Sequence, residues 1–324
     1  MANAAHLNML KAGVQKWNFM RTQKPGVIPD LSGAELKKMS LDGANLVKCN
    51  LEGADLGGAS MVKTMLEGAN LAKVNLEGAV CRGADFRNGT LAGSKLKGIV
   101  LEQAVLSKTD LSQTNLFGAN LSKADLRSAN LKNALLEGAN MSGSDPRGAD
   151  LNGANLKSVN LTGANLQKAD LRGSSLVGAN IEATNLRGAD LSGVNLTGAN
   201  LVSATADTTI LANVNLTGAK LNGADLRQAN LSGANLSGAD LSAANLDSAN
   251  LSGSNLKGAN LATADCRAAN LSGADLSDTN LEKTNLQGTD LSGAKLATVK
   301  NLVREQINRI KTDEATELPL DLMF

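Results

Sequence analysis

Few residues in this chain are of the types that catalysis uses. His6 is the only imidazole, and no nucleophile or carboxylate is spaced to work with it as an acid–base partner. Cys49, Cys81 and Cys266 are the only thiols. Their number is odd and their spacing fits neither a disulfide framework nor a zinc site, so they read as small apolar fillers. Carboxylates are the third possibility, because paired aspartates can share acid and base roles. Fourteen Asp do recur at one place in a repeated unit, but 25 Asn occupy the equivalent places. An amide cannot stand in for a proton donor, so the interchange points to shape and hydrogen bonding. Sequons such as Asn160-Leu161-Thr162 arise from the same repeat, and no glycine-rich segment opens a helix to cradle a phosphate. The expectation is a protein without catalysis, cofactor or metal.

Composition sets the same limits. The 324 residues include no Tyr, one Trp and 2% aromatics, with 33 Gly and 4 Pro. An α/β enzyme of this size would use aromatics in its core and histidines for proton transfer. Net charge is +1, from 32 basic and 31 acidic residues, so no bulk attraction to nucleic acid or an anionic membrane is expected. No apolar run approaches the ~18 residues of a membrane span. The N-terminus lacks a basic region followed by an apolar one, and the expected location is the cytoplasm.

What must position these residues is a lattice of period five, A-(D/N)-L-x-G, in unbroken frame from Leu31 to Leu296. Of its 54 central positions, 46 are Leu; the others are Met61, Cys81, Phe86, Met141, Pro146, Ile181, Ala206 and Cys266. The residue two before each centre is small in all but three cases, and 29 Gly fall two after it. On an α-helix a step of five rotates a side chain by about 500°, so successive leucines would circle the cylinder. On a strand the same step reverses the face every time. The chain must instead turn once per repeat. Leu-x-Gly-Ala reads as a type II turn, whose third residue takes φ > 0 and favours Gly. Corners of one sense, repeated, wind a solenoid with Leu and the small residue inside.

Runs such as Ala44-Asn45-Leu46, Ala54-Asp55-Leu56 and Ala154-Asn155-Leu156 resemble the pentapeptide repeat proteins, over residues 29–298. The resemblance implies an all-β solenoid, a right-handed quadrilateral β-helix with four pentapeptides per coil and about 13.5 coils. At the ~4.8 Å spacing of strands such a rod would be about 65 Å long. Residues 1–28 are expected to form a capping helix and linker, with Leu7, Leu10, Val14 and Trp17 at helical spacing over residues 3–22. Residues 299–324 are expected to form a second short helix, with Leu302, Val303, Ile307 and Ile310 on one side, and a tail. Thr316-Glu317-Leu318-Pro319 is similar to terminal segments of many relatives.

The resemblance also implies one activity to weigh, imitation of duplex DNA toward gyrase or topoisomerase IV. That mechanism needs an acidic rod. Summed by face, taking every fourth pentapeptide together, the charges are −4, +1, 0 and +1 for the faces of Leu31, Leu36, Leu41 and Leu46. Duplex DNA of the same length would carry roughly 38 negative charges. Shape could match where charge does not, and DNA mimicry stands as the alternative reading.

Departures from the lattice carry the preferred one. Outward positions should be polar, yet Val47, Val62, Met65, Val80, Val100 and Val105 break that rule, all on the faces of Leu41 and Leu46. Val80 and Val100 should stack one coil apart, with Lys48, Lys63, Arg82, Arg87 and Lys108 around them. A contiguous exposed apolar surface suggests a protein partner. Pro146 removes a backbone donor and Ala206 should leave a small void. The tail residues Leu318, Leu320, Leu322 and Phe324 are candidates for folding back on the last coil or for an end-to-end homodimer. The function expected is a non-catalytic protein–protein interaction scaffold.

Overall fold

The structure is a computed structural model that describes residues 2–322, in two compact units, Met1–Asn160 and Leu161–Phe324. In each, isolated parallel bridges join the residue before one centre to its counterpart four pentapeptides on: Asp30 to Asn50 and Val80 to Val100 in the first, Asn165 to Asn185 and Asn255 to Asp275 in the second. Four pentapeptides therefore make each coil. Centres and the small residues two before them are buried throughout, and the residue two after faces out.

Backbone accounting explains the consensus position by position. Within each unit the N–H of a centre as a rule reaches a carbonyl of the following coil, as Leu31 does to Asn50 at 2.7 Å. The next N–H but one also reaches the following coil, as Gly33 does to Glu52 at 2.8 Å. The one after closes the turn on its own centre, as Ala44 does on Leu41 at 2.9 Å. The N–H before the next centre points back to the preceding coil, as Asp55 does to Ala34 at 2.9 Å. That leaves one N–H in five, just after the centre, without a backbone carbonyl. The side chain before the centre answers it: Asp30 Oδ1 accepts from Ser32 N–H, Asn70 Oδ1 from Ala72 and Asn195 Oδ1 from Thr197. Asn adds a second bond, its Nδ2 donating to the coil before, as Asn70 does to Asn50 at 3.1 Å and Asn280 to Asn260 at 3.0 Å. Asp can only accept. A column of stacked amides is therefore favoured over stacked carboxylates.

The corner is as the turn chemistry requires. From residue 33 to residue 293, every residue two after a centre has positive φ, glycine at 29 places and another residue at 24. Lysine fills eight of these 24, at a cost of about 1–2 kcal/mol for each non-glycine residue so placed. Pro146 is buried and has no N–H for the ladder, although its carbonyl still closes the turn with Ala149 N–H. Ala206 keeps its ladder bond to Asp225 at 2.7 Å. Buried threonine hydroxyls are satisfied along the same columns, with Thr64 Oγ1 donating to Leu41 O and Thr279 Oγ1 to Leu256 O, whereas the buried hydroxyls of Ser174 and Ser254 have no partner among the described residues.

The single N-terminal helix expected over residues 3–22 is instead a pair, α1 (Ala4–Lys11) and α2 (Val14–Gln23). Gly13, at φ 115°, breaks them apart. Leu10 and Trp17 are fully buried on the first coil. Polar groups of the pair answer that coil's open edge: His6 Nδ1 accepts from Asp30 N–H, Asn18 Oδ1 from Asn45 N–H, and Trp17 Nε1 donates to Asn45 O. At the other end the expected helix is a single turn, α3 (Arg304–Ile307), with Leu302 buried but Val303 exposed. Beyond it the chain returns to the ladder at Lys311, opposite Asp290, and at Glu317, opposite Lys295. So short a helix cannot present Leu302, Val303, Ile307 and Ile310 on one face. The segment is held instead by Gln306 Nε2 on the carbonyls of Leu281 and Thr284, and by Asp313 Oδ1 on Gly293 N–H.

Two outcomes follow for stability. At Gly89, which holds the inward small-residue position, an added Cβ would sit 2.9 Å from Ala69 O and 3.1 Å from Phe86 O, both backbone atoms. Gly89→Ala should therefore destabilise the protein by roughly 1–3 kcal/mol in thermal or urea unfolding. An unchanged midpoint would contradict this packing. The second concerns Lys311, whose Nζ donates to Asp290 Oδ2 at 2.6 Å. This contact holds the Asp290 carboxyl at about 2, below its ordinary 3.8. The contribution is complete above the ordinary value and is lost as pH falls through the folded one. The Leu291 amide donates to Lys311 O, so its protection factor, the intrinsic exchange rate divided by the observed one, should fall as pH falls from about 4 to about 2.

Candidate functional site

The apolar departures of the first unit gather in neighbouring columns. Val80 and Val100 are directly bridged, and in the following column Asp85 lies between Met65 and Val105. Exposure differs among these side chains. Met65 is 40% exposed, while Val47, Val62, Val80, Val100 and Val105 are half-buried. Each valine before a centre also surrenders an acceptor. Nothing at Val80, Val100 or Val105 can take the N–H of Arg82, Glu102 or Ser107, the bond that Asx residues supply elsewhere, worth about 0.5–1.5 kcal/mol. Val62 is served differently, its N–H donating to Asp42 Oδ1 at 2.9 Å. Val47 lies at the capped end, with its carbonyl accepting from Arg21 Nη2 at 2.7 Å.

Charge around these columns is partly neutralised. Arg87 meets Asp85 at 2.6 Å, and its guanidinium holds the Asp85 carboxyl below the usual range. Arg82 lies 3.3 Å from Glu102. Lys48, Lys63 and Lys108 take the left-handed corner positions and are exposed. Their stems extend along the wall, Lys48 Cγ lying 3.4 Å from where a Cβ would stand on Gly68. The basic surround is thus three exposed corner lysines and two arginines already paired.

A second apolar spot escaped the sequence reading. Phe117 and Leu135 are 47% and 49% exposed, on the face of Leu36. With Lys97, Asn115, Glu137 and Asn155 they line a groove of about 250 Å³. Lys97 Nζ sits 5.7 Å from the Phe117 ring centroid, within cation–π range. The signal was available, since both residues break the outward-polar rule beyond Val105. Ile210, 41% exposed in the second unit, does the same.

At the C-terminal tail, Leu318 is half-buried, Pro319 buried, Leu320 80% exposed and Leu322 half-buried. Phe324 lies outside the described residues. The chain turns through η1 (Leu320–Leu322), closed by Leu322 N–H on Pro319 O. The segment is thus anchored at Pro319 and turns Leu320 outward.

The residues that could do covalent chemistry are committed to the fold. His6 Nδ1 accepts the Asp30 N–H. Burial pushes the thiols of Cys49, Cys81 and Cys266 up to about 12. Among the described residues no group of three His, Cys, Asp or Glu could hold a metal, and no helix is long and apolar enough to cross a membrane.

The sequence model of the family described as pentapeptide repeats (8 copies) matches residues 30–61 and then, in overlapping segments, residues 65–297. The chain belongs to the pentapeptide repeat family. Its coils are those of a right-handed quadrilateral β-helix. Among solved structures, this pentapeptide repeat protein is similar to HetL, a pentapeptide repeat protein involved in heterocyst differentiation regulation, from the cyanobacterium Nostoc sp. strain PCC 7120. Identity is 27%, over 84% of this chain and 95% of that one, with a TM-score of 0.35. It is also similar to QnrB1, a plasmid-mediated fluoroquinolone resistance protein, at 21% identity over 67% and 88% with a TM-score of 0.28. Rfr23 from the cyanobacterium Cyanothece 51142 shares 31% identity over 44% and 90%, with a TM-score of 0.24. No curated protein matches the chain.

Burial of the thiols has a measurable consequence. In the native protein all three should resist a thiol-reactive reagent at pH 8 and react together once it is unfolded, since none carries appreciable thiolate while buried. Rapid labelling of even one under native conditions would mean that its coil opens.

Proposed function

We infer that this pentapeptide repeat protein is a non-catalytic scaffold that binds another protein through the valine columns of its N-terminal unit, in the cytoplasm and without a cofactor. The observation that carries this is the bridged pair Val80–Val100 with Met65 and Val105 beside it. At those positions the lattice elsewhere gains a turn-closing hydrogen bond from Asn or Asp, and valine forgoes it. A surface that gives up local stability to present adjoining apolar groups is suited to exclude water against a partner. Buried thiols in a chain with no disulfide among its described residues suit a reducing compartment.

DNA mimicry fits less well. The carboxylates of Asp85, Asp125, Asp145, Asp225 and Asp265 are each met by an arginine two residues on, at 2.6–2.7 Å. A basic groove evolved for phosphates would find them already compensated. Titration of gyrase supercoiling with the protein checks this, and the expected result is no inhibition.

The scaffold reading is tested by replacing Val80, Val100 and Val105 together with Lys. Lysine already occupies the same register at Lys95, Lys220 and Lys295, so the coils should accept it. Affinity capture from host lysate should recover a partner that survives a high-salt wash with the parent protein and is lost with the variant, while β-type circular dichroism is unchanged. Equal recovery by both would reject the valine columns as the binding face.

A further inference from the structure

The two ends of the chain expose complementary surfaces. On the N-terminal pair, α2 directs Trp17 and Arg21 onto the first coil and leaves Phe19 68% exposed. Phe19, Met20 and Met9 of α1 line a groove of about 610 Å³, with Lys16 and Lys24 at its margin. This volume lies within the range of natural binding clefts. The chain has four basic residues and no acidic one before Asp30. Between Thr312 and Leu322 the balance is reversed, with Asp313, Glu314, Glu317 and Asp321 and no base. There Leu320 is 80% exposed, beside the buried anchor Pro319. Among the described residues, Phe19 and Leu320 are each left largely uncovered by the unit that carries them.

We propose that the groove formed by Met9, Phe19 and Met20 receives the Leu318–Leu322 segment of a second copy, joining pentapeptide repeat chains head to tail. Leu320 enters the apolar groove, and the acidic approach from Asp313 to Glu317 faces Lys16 and Lys24. Both surfaces are held by bonds to their coils. The α2 helix is fixed by Asn18 Nδ2 on Gly43 O and by Arg21 Nη2 on Val47 O. The tail is fixed by Glu317 N–H on Ala294 O, with Leu296 N–H donating to Glu317 O. Docking therefore requires little ordering of either side, which favours association. Because the groove and the segment that fills it belong to different ends, every copy offers one of each. Such a contact is heterologous and extends into rings or filaments, unlike a two-fold dimer. The opposite charges add an attraction that salt weakens.

The test is sedimentation velocity of the full chain across the micromolar range, at low and high salt. The parent protein should grow in mass with concentration, less so at high salt. Phe19→Asp and Leu320→Asp should each weaken self-association by roughly tenfold or more, since each puts a carboxylate into an apolar contact. Circular dichroism reports that both variants fold. An equimolar mixture of the two should then form dimers and nothing larger, because only the Phe19→Asp chain keeps a sound tail and only the Leu320→Asp chain keeps a sound groove. A parent protein that stays monomeric overturns the proposal. So does association abolished by Leu320→Asp but not by Phe19→Asp, which would indicate a tail-to-tail dimer. Association unaffected by Leu320→Asp, with binding of the parent but not Phe19→Asp to anionic phosphatidylserine vesicles, would make the groove a lipid-facing surface and overturn it as well.

Discussion

Every pentapeptide without proline has five backbone N–H groups to satisfy while turning one corner, and the fold depends on that accounting. Ladder and turn carbonyls take four, which fixes the coil at four pentapeptides and places the left-handed residue. The fifth has no carbonyl, and it is the reason Asn and Asp dominate a position that faces half outward. The leucine interior supplies the burial, but leucine alone would collapse without specifying a register. The amide columns specify it, since Asn70 Nδ2 meets Asn50 only when the coils are stacked in this register.

The same accounting explains how the termini are built. A solenoid ends with N–H and C=O groups that no next coil will satisfy. At the start, side-chain atoms of His6, Asn18 and Trp17 take those roles. At the finish the chain substitutes for a coil it no longer repeats, through Lys311, Glu317 and the side chains of Gln306 and Asp313. The lone histidine is therefore a structural cap whose acceptor nitrogen is occupied. Its imidazole has been placed where the backbone needs an acceptor atom.

Much of this was legible in the sequence, because a strict period makes one local decision repeatedly. The turn residue and the buried centre came from counting alone, while the Val80–Val100 register also needed the four-pentapeptide coil that the family resemblance implies. The parts that were missed lie where counting stops. Gly13 sits inside a helical pattern, and only its φ of 115° shows that it ends α1. The spacing of Leu302, Val303, Ile307 and Ile310 suggested a helix, but ladder bonds at Lys311 and Glu317 competed more strongly for the chain and left it one turn. Phe117 and Leu135 broke the same rule as the valines, yet lay on another face. The hydrogen-bond role of Asn and Asp was anticipated in kind, while its particular partner, the N–H after the centre, appears only once the ladder is drawn.

The coil length also governs how such a protein can change over generations. A duplicated or deleted stretch of four pentapeptides within a unit leaves every later side chain on the face it held before, so the surface chemistry is inherited intact. A single pentapeptide preserves the interior equally well, because the buried pattern repeats with it. It would nevertheless move every later residue one face around, dispersing Val80 from Val100 and the arginines from neighbouring acidic columns. Two mutations that are indistinguishable to the core are thus opposite in meaning to a partner. Lineages of this fold can lengthen freely in whole coils, but one added pentapeptide rewrites the surface at one stroke.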